Sequence, residues 1–397
     1  MPETMPTSDQ IVGVLRGVID PELGSDVVDL GMVNQVDVAD DGAVVVTIAL
    51  TTAGCPLRAQ IQRDIRARVG SLAGVTSVRL SWAEMTEEQR SSAMAKARWN
   101  VSQRPEDTAV PLTAKVVLIA SGKGGVGKSS VTVNLAAALA ARGLTVGVLD
   151  ADIWGFSVPR MLGLSEAGRM SGRKGDGDAK GRMVPHERRI GRGVLRVVSM
   201  GFLVQAEETA LMWRGLMLNR GVQHFLQDVE WGNDLDYLLV DMPPGTGDVQ
   251  MGVAKLLPRA EVVVVTTPAK AAQKVAERAV GMARKSYLRV AGIIENMSAF
   301  QVNGESYPLF GEGGGEQLAH DAGVPLLGSV PLEPAVSAGG DAGEPVVLGD
   351  GPAAEAFAAI AAHIVEEAIP PAEMAGCSAR MLDAAVAALD ALDTADA

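Results

Sequence analysis

Gly122-Lys-Gly-Gly-Val-Gly-Lys-Ser129 decides how this chain is read. Its spacing, Gly-x-x-x-x-Gly-Lys-Ser, is that of a phosphate-binding loop, in which backbone amides and one lysine cradle a polyphosphate. Before it, Lys115-Val-Val-Leu-Ile-Ala120 is short, apolar and β-branched, as expected of a strand buried in a parallel sheet. After it, Ser130-Val-Thr-Val-Asn-Leu-Ala-Ala-Ala-Leu-Ala140 has the length and alanine content of a helix. In that frame Gly122, Gly124, Gly125 and Gly127 let the backbone turn sharply. The amides from Gly122 to Ser130, those of Lys123 and Val126 included, are then aimed at phosphate oxygens, which the helix N-terminus also attracts. Lys128 would reach the β- and γ-phosphates, and the Ser129 hydroxyl would sit on Mg2+.

Downstream, apolar strand candidates alternate with helical stretches: Thr145–Asp150, Val194–Ser199, Leu235–Asp241, Glu261–Thr266, Val290–Glu295 and Pro325–Val330. The predicted fold class is α/β, a doubly wound, mostly parallel sheet carrying the loop, preceded by a small α/β domain. Ligands of such sheets sit at the carboxyl ends of the strands. Two pairs of carboxylates fall there, in Asp150-Ala-Asp152 and in Asp241-Met-Pro-Pro-Gly-Thr-Gly-Asp248. Asp241 is placed to hold the Mg2+ shell through water, and Asp152 to orient an attacking water. The alternative for each is an aspartate that caps a helix or closes a turn. Gly245 and Gly247 would let their loop change shape when a γ-phosphate leaves.

The chain divides into a small α/β domain at 1–98, a linker at 99–114, the loop-bearing domain at 115–369 and an acidic amphipathic tail helix at 370–397. In the first domain, Thr7-Ser-Asp-Gln10 predicts a capping-box start to a helix. Strands are expected over Val33–Val38, Ala43–Leu50 and Val75–Trp82, with helices from Cys55 to about Val69 and from Glu84 to Trp99. Ser165 to Arg192 carries many Gly, Arg and Lys residues and reads as a mobile surface loop, either a solvated insertion or a basic site for an acidic partner.

Composition narrows the classes. A formal net charge of −13 argues against a nucleic-acid surface and against stable attachment to anionic membranes. No run approaches the length of a membrane span, and Met-Pro-Glu-Thr-Met-Pro at the start lacks the features of a signal peptide. With only Cys55 and Cys377 a disulfide framework is excluded, and a cytoplasmic location is expected. His186, His224, His320 and His363 show no metal-ligand spacing.

The loop, with its second lysine at Lys123, resembles that of the MinD/ParA/ArsA class. Asp150-Ala-Asp-Ile-Trp-Gly-Phe-Ser157, Asp241-Met-Pro-Pro-Gly-Thr-Gly-Asp248, Glu295-Asn-Met-Ser298, Phe310-Gly-Glu-Gly-Gly-Gly315 and Val330-Pro-Leu-Glu-Pro334 narrow the resemblance to the Mrp/ApbC branch, the iron–sulfur cluster carrier ATPases. Ile19-Asp-Pro-Glu-Leu23, Asp29-Leu-Gly-Met-Val33 and Thr51-Thr-Ala-Gly-Cys-Pro-Leu57 resemble the SufT-like module often fused to them. The resemblance implies an ATPase acting as a nucleotide-sandwich homodimer on apo iron–sulfur client proteins. Lys123 would reach the partner's ATP, as an arginine finger does. Asn296 and the Pro331 loop would recognise adenine.

Family members commonly carry a Cys-x-x-Cys pair shortly after the Asn-Met-Ser motif. Here Ala299 to Phe310 contains no cysteine. Clusters are ordinarily held by thiolates, which leaves Cys55, Cys377 in the tail as the weaker candidate, or a cysteine from a partner protein. Cys55 stands at a predicted helix start where a thiolate is favoured, and reads either as a cluster ligand or as a buried structural cysteine. The alternative function is a MinD/ParA-like ATP-driven adaptor that carries no cluster. Asn303-Gly304 predicts a hairpin where the family's cysteines would stand, with Phe300, Tyr307 and Phe310 supplying apolar contacts and Pro308 confining its strand to an edge.

Overall fold

The computed structural model describes residues 5–20, 23, 25–50, 58–93, 96, 108–152, 155–173, 182–203, 215–245, 247–302 and 305–371. They form two compact units divided between residues 104 and 105. Cys55, the predicted linker residues 99–107 and the predicted tail helix from 372 onward, with Cys377, lie outside the described residues.

In the first unit, helix α1 (Ser8–Leu15) starts at a reciprocal cap. Thr7 N donates to Gln10 Oε1 at 2.8 Å and Gln10 N to Thr7 Oγ1 at 3.3 Å. Strands β1 (Val33–Val38) and β2 (Ala43–Leu50) pair antiparallel, and β3 (Ser77–Glu84) pairs parallel with β2. Val44, Val46 and Ile48 alternate onto one face and meet Ile11, Leu15, Ile61 and Ile65 from α1 and α2 (Arg58–Gly70). The third strand runs to Glu84, which pairs with Leu50. The helix expected from Glu84 therefore begins only at 87.

The second unit is built on a nine-stranded sheet among its described residues. Its strands are β4 (Lys115–Ser121), β5 (Thr145–Asp150), β6 (His186–Ile190), β7 (Gly193–Ser199), β8 (Tyr237–Asp241), β9 (Glu261–Thr266), β10 (Arg289–Val302), β11 (Glu305–Tyr307) and β12 (Leu326–Leu332). Their order is β6-β7-β5-β8-β4-β9-β10-β11, with β12 also paired to β10. Every pairing is parallel except β6 with β7 and β10 with β11. Because successive side chains point to opposite faces, each apolar strand feeds two cores. Val116 and Leu118 enter one, with Phe225, Val253 and Val280 from α5 (Gly215–Asp228), α6 (Asp248–Leu256) and α7 (Lys270–Lys285). Val117 and Ile119 enter the other, with Leu135, Leu139 and Phe357 from α3 (Lys128–Ala141) and α10 (Pro352–His363), while α4 (Val158–Met161), α8 (Gly314–Ala322) and α9 (Pro334–Ala342) are shorter. This is the doubly wound arrangement expected from the alternating elements.

Two expectations are corrected. Ser165–Arg192 is not a loop throughout, since residues 186–190 form β6 on the outer edge of the sheet. The basic composition concealed this because an edge strand can leave polar side chains in water. Arg188 of that strand donates to Leu162 O at 2.8 Å and pairs with Glu344. The predicted hairpin is present, with Phe300 opposite Tyr307, Gln301 opposite Ser306 and Val302 opposite Glu305. Its turn residues, 303–304, lie outside the described residues. Tyr307 and Phe310 do not supply buried contacts, because the three-residue strand pairs with β10 alone among the described strands and leaves both rings exposed.

The end of the second unit is fastened to the sheet by Arg289, whose Nη1 donates to Ala368 O at 2.9 Å, and by a phenol. Tyr237, fully buried, donates to Ile369 O at 2.6 Å, and burial raises its pKa, so it is a proton donor across the working pH range. Tyr237→Phe leaves that carbonyl without this donor and is expected to destabilise the second unit by about 1–3 kcal/mol. An unchanged urea midpoint for its unfolding transition would contradict this.

Candidate functional site

Strands β5, β8 and β4 lie side by side and parallel, so their carboxyl ends, Asp150, Asp241 and Ser121, line up along one edge. The phosphate loop leaves β4 at that edge and enters α3, whose N-cap is Gly127. Two glycines are required by geometry. A Cβ on Gly122 would lie 2.2 Å from the backbone of Val275 in α7, and Gly127 has φ +80°, where L side chains are strained. Ser121 Oγ donates to Lys123 O at 3.0 Å across the start of the loop. A cavity of about 200 Å3 opens over it, lined among others by Lys123, Gly124, Gly125, Lys128, Ser129 and Ser130.

Asp241 is the hub. It has no exposed surface, and three side chains from the first turns of α3 converge on it. Lys128 Nζ donates to Oδ1 at 2.7 Å and Ser129 Oγ to Oδ2 at 2.6 Å. Thr132 Oγ1 lies 2.9 Å from Oδ1 and 3.0 Å from Lys128 O, so its one proton serves either. Asp152 stands next to this group, with Oδ2 3.8 Å from Lys128 Nζ. The two carboxylates given separate roles from sequence thus face the same ammonium. A hydroxyl and a carboxylate at hydrogen-bond distance beside a phosphate cradle are the hard oxygen donors that Mg2+ takes, so Ser129 and Asp241 fit that ion.

The other predicted residues divide. Lys123 lines the cavity with its side chain exposed. Val126 is buried under the loop. Asn296 is buried on β10 opposite Val330, beside Pro331 of β12. Its Nδ2 donates to Val126 O at 2.9 Å, so its amide is engaged with the phosphate loop.

Sequence reasoning missed Thr132 and gave Asp150 no role. Thr132 stands four residues after Lys128, on the same face of the helix, a spacing that could have flagged it. Asp150 is wholly buried, accepting from Asp152 N at 3.2 Å, Val158 N at 3.4 Å and Ser199 Oγ at 3.1 Å. It therefore ties the chain carrying Asp152 to the sheet end. Burial first, and the Asp241 carboxylate second, hold its pKa well above the ordinary 3.8.

A glycine-rich loop between a central parallel strand and a helix, with a buried aspartate from the adjacent strand meeting its lysine and serine, defines a P-loop NTPase. Residues 113–365 match the family described as NUBPL iron-transfer P-loop NTPase, and residues 8–80 match one described as iron–sulfur cluster assembly protein. An iron–sulfur cluster carrier protein of Mycobacterium tuberculosis is 45% identical over 345 residues, which cover 84% of this chain and 86% of that one. One from Synechocystis is 41% identical over 365 residues, 91% of this chain and 97% of that one. A nucleotide-binding protein from Archaeoglobus fulgidus, solved in complex with ADP, is 33% identical. It aligns with a TM-score of 0.50 over 62% of this chain and 90% of that one. The chain belongs to the NUBPL iron-transfer P-loop NTPase family, with an iron–sulfur cluster assembly domain at its N-terminal end.

The raised pKa of Asp150 has a consequence for stability. A fold that favours the protonated carboxyl has its full contribution below pH 3.8 and loses it as pH rises through the folded value. Asp150→Asn removes this loss, so the stability of the variant relative to wild type should increase from pH 4 to pH 8. A difference that stays constant over that range, measured by urea unfolding, would refute it.

Proposed function

We propose that this protein binds and hydrolyses ATP with Mg2+ and acts as a carrier or assembly factor for iron–sulfur clusters. The observation that carries the first half is the convergence of Lys128 and Ser129 on buried Asp241. On this reading Lys128 exchanges its contact with Asp241 for the β- and γ-phosphates. Ser129 and, through water, Asp241 hold Mg2+, which when bound neutralises charge developing on the transferred phosphoryl group. Asp152 orients the attacking water. The amides of Gly122, Gly124, Gly125, Val126, Gly127 and Ser130 receive the phosphates, and Asn296 and Pro331 lie on the adenine side. Lys123, exposed at the rim, acts in the second copy of a homodimer that sandwiches two nucleotides. The second half rests on the assembly domain and on relatives named as carriers.

One observation favours the alternative, an ATP-driven adaptor acting on a protein partner without a cluster. The chain has two cysteines, Cys55 and Cys377, and none between Ala299 and Phe310. Four thiolates per dimer would require both to converge. The partners expected are apo iron–sulfur proteins or their assembly factors, met in the cytoplasm. No described helix is long and apolar enough to cross a membrane.

Two experiments test these assignments. Lys128→Ala should abolish binding of a non-hydrolysable ATP analogue in calorimetry. Lys123→Ala should keep most of that binding and lose about 10³-fold in turnover, the scale of a cation supplied in trans. Asp152→Asn should likewise bind and turn over slowly. Equal loss of affinity in the two lysine variants would end the division of labour.

Anaerobic reconstitution with iron and sulfide should load wild type weakly, and Cys55→Ser less, while ATPase activity persists in both. A stable [4Fe–4S] centre, one per dimer, in the Cys55→Ser/Cys377→Ser double variant would show that cysteine ligation is not the route.

A further inference from the structure

The phosphate loop is held from both ends of the site, by Asp241 on one side and by an amide on the other. Asn296 is 4% exposed, and its Nδ2 donates to Val126 O at 2.9 Å. Val126 precedes Gly127, the left-handed residue at which the loop becomes helix α3. Loop and amide are shaped to each other, since a Cβ on Gly127 would lie 2.1 Å from Asn296 Nδ2. The strand is distorted at the same place. Met297 has φ +57°, a region costly for a residue with a side chain, and the pairing of β10 with β12 shifts register between Asn296 and Phe300. Strain of this kind persists where surrounding structure enforces it, and it borders Asn296, whose side chain reaches from β10 to the loop carbonyl.

We infer that Asn296 is a positioning residue of the phosphate loop, its amide clamping the Val126 carbonyl so that the loop keeps its phosphate-receiving shape whether or not a base is present. This rests on reading the loop as a nucleotide site, and it separates from base recognition by chemistry. An amide has two N–H groups and one carbonyl. One N–H is committed to Val126, so any contact with adenine uses the rest, and substituting Asn296 disturbs the loop together with the base site.

Magnesium tripolyphosphate, which has the phosphates of ATP and no base, is the discriminating probe. Calorimetry compares it with a non-hydrolysable ATP analogue on wild type, Asn296→Ala and Asn296→Asp. Asn296→Asp keeps the size of the side chain but sets a carboxylate oxygen against the Val126 carbonyl, and it carries the test if Asn296→Ala does not fold. The clamp predicts that affinity for tripolyphosphate falls about tenfold or more, the scale of one lost hydrogen bond that leaves a carbonyl unsatisfied, with affinity for the analogue falling at least as far. Loss for the analogue with tripolyphosphate unchanged would mean that Asn296 reads only the base, and overturns the inference. A lower unfolding midpoint with both affinities unchanged makes the residue merely structural, and also overturns it. Wild type that binds neither probe defeats the nucleotide reading itself, and the clamp with it.

Discussion

Between Lys128 and Asp241 an ammonium 6% exposed meets a carboxylate with no exposed surface, 2.7 Å apart. Removing two charges from water costs more than their attraction commonly returns, unless further hydrogen bonds complete the shell. Here Ser129 and Thr132 supply them. The pair therefore depends on the end of β8 meeting the first turns of α3, and it is poor evidence of stability for its own sake. It is better understood as a held position: a buried lysine bonded to Asp241, with Asp152 3.8 Å away, is ready to exchange its contact for phosphate oxygens.

That position is created by the sheet. Parallel strands in register bring their carboxyl ends to one edge, and the order β5-β8-β4 sets Asp150, Asp241 and the loop as neighbours. The chain crosses from one helical layer to the other around β4, which opens the crevice that doubly wound sheets use for ligands. Alternation within each strand supports this, since Val117 and Ile119 anchor the loop's helix while Val116 and Leu118 anchor the opposite layer.

At the other end of the site, β10 runs on past the sheet core into its hairpin with β11, a stretch with no cysteine between Ala299 and Phe310. Leu309, 62% exposed, stands there with Tyr307 and Phe310 on the surface. The hairpin is held by its backbone ladder, Phe300, Gln301 and Val302 pairing with Tyr307, Ser306 and Glu305.

The apolar strand runs, the loop spacing and the capping box at Thr7 were legible in the sequence because each is a local pattern: burial on both faces, a turn requirement, an orphan amide at a helix start. β6 was not, since His186-Glu-Arg-Arg-Ile190 has one aliphatic residue and reads as a loop, although its side chains alternate between covered and exposed. The sequence alone determined that a phosphate loop sits in a doubly wound sheet. Only the tertiary structure decided that Thr132 and Ser129 would share the Asp241 carboxylate with Lys128, that Asp150 would be buried and hold the Asp152 segment, and that Asn296 would reach the Val126 carbonyl. These contacts join residues more than a hundred positions apart, or turn on depth within the fold. Neither separation nor depth is carried by a local pattern, because both arise only when strands from distant parts of the chain are laid side by side.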